Sequence, residues 1–100
     1  MNCRAAAPVK ENTVNSIWKY PLQVTDEQTI DVPEGSEVLS VQVQNGTPCL
    51  WVRVDPAALK VPRKIITHGT GHHVPATTGR YIGTYQIEGG ALVFHVFDAA

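Results

Sequence analysis

The sequence predicts an all-β fold, a compact antiparallel β sandwich or partly open barrel of six to seven short strands. Three observations carry that expectation. Apolar and polar residues alternate on both sides of Asn45-Gly46, a period of two that gives an extended strand one buried and one wet face. A second pair of strand-like runs flanks Gly89-Gly90. The helical period is not sustained over the length of a normal helix, and no internal repeat is present.

At 100 residues the chain holds one core, because two would leave each half near the size where burial no longer offsets chain entropy. Residues 1–12 (MNCRAAAPVKEN) mix Ala, Pro and charge without periodicity and read as a leader, with a single β domain over 13–100. In Thr13 to Leu22, Val14, Ser16, Trp18 and Tyr20 share a face and Pro21 ends or bends the run, which predicts a first strand near an edge. Gln28 to Val32 predicts a short second strand, closed by a turn at Pro33-Glu34-Gly35.

From Ser36 to Asp55 the pattern is strongest. Leu39, Val41 and Val43 are expected in the core, with Ser40, Gln42 and Gln44 in solvent. Asn45-Gly46 supplies the two positive φ values of a tight hairpin, and Leu50, Val52 and Val54 continue the apolar face. Tight pairing sets Val41 against Leu50, Leu39 against Val52 and Ser40 against Trp51. It puts Pro48 opposite Val43 with its N–H-less side away from the partner, so that side is expected to be open.

Asp55 to Leu59 suits a single turn capped by Asp55, and Arg63 to Thr67 a further strand. The stretch from His68 to Gly79 (HGTGHHVPATTG) reads as a loop. Arg80 to Ile87 and Ala91 to Asp98 form the second hairpin. Tyr81, Tyr85, Ile87, Leu92, Phe94 and Val96 are expected on one face, Ile82, Val93 and Phe97 on the other. Strands apolar on both faces belong inside a sandwich or at a subunit interface, so a homo-oligomer is a second arrangement for them.

Hydrophobic residues make up 43% of the chain and charged residues 17%, with a net charge of -1. That balance excludes a whole-molecule field toward nucleic acid or anionic membrane, and excludes an acidic DNA mimic. No run of about 20 apolar residues is present, so the expected location is the cytoplasm, without membrane attachment. Cys3 and Cys49 form no Cys-x-x-Cys pair, and Cys49 reads as a small buried hydrophobe.

The candidate binding residues are Gly69, Thr70, Gly71, His72 and Arg80, together with Trp18 and Trp51. The two glycines free backbone N–H groups that can nest an anion such as a nucleotide phosphate, with Lys64, Arg80 or a protonated histidine supplying charge. A solvated glycine-rich surface loop is the plain alternative. Zinc would need His68, His72 and His73 to converge, which glycines within the run oppose for a helical arrangement, so no metal or other cofactor is expected. Cys49, His95 and Asp98 are the residue types of a nucleophilic triad, but His95 lies in an apolar strand opposite Thr84, where a hydrogen-bonded structural histidine is expected. Trp18, Tyr20 and Trp51 can stack on a base or anchor a protein partner. Lys60, Arg63 and Lys64 read as a solvated basic edge.

Ile17-Trp18-Lys19-Tyr20-Pro21-Leu22, Pro33-Glu34-Gly35, Val41-Gln42-Val43-Gln44, Leu50-Trp51, Gly69-Thr70-Gly71-His72, Tyr81-Ile82-Gly83-Thr84 and Leu92-Val93-Phe94-His95-Val96-Phe97 together resemble a small bacteriophage and prophage protein family. The likeness covers residues 17–98. It implies a compact domain of phage origin and carries over no catalytic residue. The function it implies is binding: an anti-CRISPR-like antagonist that occupies a surface on a host defence complex. The alternatives are a sponge for a nucleotide immune signal, a small metal-dependent hydrolase and a virion component.

Overall fold

The computed structural model describes residues 14–99; the leader expected at residues 1–12 lies outside them. Seven strands run in chain order: β1 (Ser16–Pro21), β2 (Glu27–Pro33), β3 (Glu37–Gln44), β4 (Thr47–Val54), β5 (Lys60–Gly69), β6 (Arg80–Ile87) and β7 (Leu92–Asp98). They form two antiparallel sheets, one ordered β1-β4-β3 and the other β2-β5-β7-β6. This is the expected all-β class, with strands arranged as a β sandwich.

Asn45 and Gly46 take φ values of 52° and 81°, and the β3–β4 register runs Val43 to Pro48 and Val41 to Leu50 as the turn chemistry requires. Beyond Ser40, opposite Trp51, the register slips, and Val38 rather than Leu39 faces Val52. One extra residue in one strand reverses which side chains point inward. Val38 is therefore buried, while Leu39 is 41% exposed, which corrects its placement in the core. Val43, also expected inside, is 38% exposed near the hairpin tip.

A second slip between Tyr81 and Gly83 acts likewise on β6. Tyr81 turns to the outer face opposite Phe97, and Ile82 packs against the core, the reverse of the expected faces. The side of β4 that Pro48 was expected to leave open is occupied by β1, paired from Cys49 to Val54. Pro48 sits just past that ladder, where its carbonyl accepts from the Leu22 N–H at 2.8 Å.

The inner faces bury Leu22, Val38, Val41, Leu50, Val52, Val54, Ile65, Tyr85 and Val96 as one cluster. At roughly 1.5–3 kcal/mol per fully buried aliphatic side chain, this cluster is the main force joining the sheets. The sheets come closest where β3 meets β6. There a Cβ on Gly83 would stand 2.9 Å from Val41 Cγ1, so glycine is what permits the approach.

Arg63, expected on a solvated basic edge, points inward from the interior strand β5. Its Nε and terminal nitrogen donate to the two carboxylate oxygens of Asp98 at 2.9 and 2.7 Å, and its other nitrogen donates to the Ser36 carbonyl at 3.1 Å. Arg80 donates to the Val38 carbonyl at 3.0 Å, with the same nitrogen 3.8 Å from Asp98. Two arginines of one sheet thus grip the chain entering β3 of the other.

Candidate functional site

The outer face of the three-stranded sheet presents Trp51 in its central strand, between Lys19 on β1 and Ser40 on β3. The indole is half-buried. Farther along the same face Ile17 is 61% exposed, and the bulge adds Leu39. Ile17, Leu39 and Arg53, with Asn15 and Ser16, line an open depression of about 540 Å³. Toward the other end, the Lys19 ammonium reaches across β4 to the Gln44 side-chain carbonyl at 2.7 Å. Cys49, paired with Pro21 on one side and Gln42 on the other, is only 2% exposed. Trp18 faces the opposite way, paired with Val52 and packed against the core, so the second aromatic anchor expected from the sequence is structural.

The glycine-histidine segment is organised differently from the expected anion nest. His68 and Gly69 belong to β5, where they pair with His95 and Phe94. The N–H of Thr70, one of the nest's donors, is engaged by the Val93 carbonyl at 3.1 Å, and the N–H of His72 donates back to the Gly69 carbonyl at 3.1 Å. Lys64 pairs with Glu27 at 3.2 Å, and Arg80 is directed to Val38 and Asp98, so neither expected cation is delivered to the loop. The loop instead walls a cleft of about 460 Å³ whose polar lining includes Asp26, Glu27, His68, His72, His73 and Thr78. His68 Nε2 lies 2.8 Å from Thr78 Oγ1, and its ring meets Phe97 edge-on. Among the described residues no group of three or more His, Cys, Asp and Glu is placed to hold a metal ion.

The candidate triad is dispersed. Cys49 is in one sheet and His95 in the other, while Asp98, three residues after His95, points to the inner face and its arginines. His95 lies opposite Thr84, as expected, with its Nδ1 2.8 Å from Thr84 Oγ1. Its Nε2 is 2.7 Å from Thr70 Oγ1, a partner that residue spacing does not disclose because the two stand 25 positions apart. Tyr81 Oη completes a chain of short contacts at 2.6 Å from Thr84 Oγ1.

Residues 13–100 match the family model described as a domain of unknown function, DUF7352. The chain belongs to this family. Neither a curated protein nor a solved structure matches it. The matched span takes in both sheets, so the Trp51 face, the histidine cleft and the His95 chain are all parts of the DUF7352 domain. Within that domain, burial raises the phenol pKa values of Tyr20 and Tyr85 above 10.0, and neither hydroxyl has a hydrogen-bond partner among the described residues. Among the described residues no DUF7352 helix is long and apolar enough to cross a membrane.

Proposed function

We propose that this DUF7352 protein is a binding protein that docks a protein partner on the outer face of its three-stranded sheet. The observation that carries the reading is the placement of Trp51 with Ile17, Leu39 and Arg53 on a face over which no element of the described residues is laid. Aromatic and arginine side chains set among exposed aliphatics are the usual composition of a binding hot spot. The resemblance to phage and prophage proteins supports a more specific role, in which the partner is a host defence complex and the protein acts as its antagonist in the host cytoplasm.

A nucleotide sponge finds less support, because two carboxylates line the histidine cleft and Lys64 and Arg80 are engaged with Glu27 and with Val38 and Asp98.

The test is affinity capture from a bacterial host carrying active defence systems, read by native mass spectrometry. The wild-type protein is expected to retain a stoichiometric protein partner, and Trp51→Ala to lose it at an unchanged melting temperature. Retention of the partner by Trp51→Ala would sink the docking surface.

A further inference from the structure

The contact between Thr70 and His95 suggests chemistry that goes beyond docking and is independent of it. We infer that Thr70 is a nucleophile for acyl transfer, with His95 as its general base and small ester or thioester acyl donors as its substrates. The hydroxyl-to-Nε2 distance of 2.7 Å falls within the reach over which an imidazole takes a proton from an attacking hydroxyl. The other ring nitrogen is held by Thr84 at 2.8 Å, and Thr84 in turn by Tyr81 at 2.6 Å. With the His95 proton on Nδ1 and donated to Thr84, Nε2 is left as the acceptor facing Thr70.

The space beside Thr70 suits an acyl group. A depression of about 210 Å³ has Thr70 in its wall, together with the apolar residues Ala91, Leu92, Val93 and Phe94. Gly69 forms part of the same wall, where the His72 ring lies close enough that a Cβ at position 69 would stand 3.0 Å from it.

In the step, Thr70 Oγ1 forms a bond to the acyl carbon as its proton passes to His95 Nε2. The bond from that carbon to the leaving oxygen or sulfur breaks, and His95 returns the proton to the leaving group. The products are Thr70 acyl ester and a free alcohol or thiol. Water, deprotonated by the same nitrogen, then releases the carboxylic acid and restores Thr70.

The experiment is incubation of the full chain with p-nitrophenyl butyrate, with the site of butyrylation located by peptide mass spectrometry and nitrophenol release followed by absorbance. Thr70 is expected to be acylated at least about tenfold faster than the exposed Thr29 and Thr77, a conservative share of the hundredfold or more that a positioned base supplies. His95→Gln keeps hydrogen-bonding groups toward both threonines and is expected to bring Thr70 down to the rate of the other two. Thr70→Ser is expected to retain the burst and Thr70→Val to lose it. Acylation of Thr70 no faster than Thr29 and Thr77 in the wild-type protein, or an unchanged rate in His95→Gln, would overturn the assignment.

Discussion

Arg63 and Asp98, 35 residues apart, meet in a two-pronged ion pair at 2.9 and 2.7 Å between the sheets. The Asp98 side chain is 4% exposed and that of Arg63 18%. Removing one partner of a buried pair leaves the other charge without compensation, and the general cost is about 3–5 kcal/mol. Asp98→Ala is therefore expected to destabilise the fold by about 3 kcal/mol in urea unfolding. Arg63→Met in the same chain is expected to recover a large part of that loss, and an additive double-mutant cycle would refute the coupling.

The bulge at Leu39 yields a contrast between neighbours. Val38→Asp places a charge in the core and is expected to prevent folding, whereas Leu39→Asp is expected to leave the melting temperature within a few degrees of wild type. In the unbulged register the two outcomes would be exchanged, so circular dichroism melts of both variants decide between them.

Gly83 permits the approach of β6 to β3, and its freedom from a side chain is steric rather than conformational. Gly83→Val is expected to cost 1–3 kcal/mol, the typical range for overpacking, because the new side chain meets Val41. Combining it with Val41→Ala is expected to restore about half of the loss, measured from denaturation midpoints at constant slope.

Tyr20 and Tyr85 bury hydroxyls without hydrogen-bond partners among the described residues. An orphaned donor is costly, so Tyr85→Phe is expected to raise stability by about 1 kcal/mol. The pH dependence follows from the same burial. Both phenols have pKa values raised in the fold above 10.0, so their neutral forms contribute stability that is fully present below that pH. As pH climbs past it, the unfolded chain releases those protons first, and the contribution is lost through the folded-state values. The Tyr20→Phe, Tyr85→Phe double variant should show a shallower alkaline decline in urea midpoint than wild type.

How much of this was legible in the sequence depends on the range of the interaction concerned. Alternation around Asn45-Gly46 located β3 and β4 and their pairing near the turn, because side-chain period and positive φ are properties of adjacent residues. The same reasoning placed His95 against Thr84 and Trp51 on the outward face of β4. It failed for Leu39 and Tyr81, since a bulge is set by how a strand must twist against its neighbours rather than by its own pattern. Trp18, expected as a binding residue, packs against the core instead, because an aromatic in an edge strand packs or protrudes according to where the second sheet lies.

The sequence by itself determined an all-β chain, the seven strand segments to within a few residues, and the turns between most of them, all consequences of local stereochemistry and period. Tertiary structure alone decided that Arg63 and Arg80 converge on Asp98, that Gly69 is strand rather than nest, and that Thr70 reaches His95. Each of these joins residues brought together by strand order, and strand order is fixed by the burial of whole faces, which no single segment encodes.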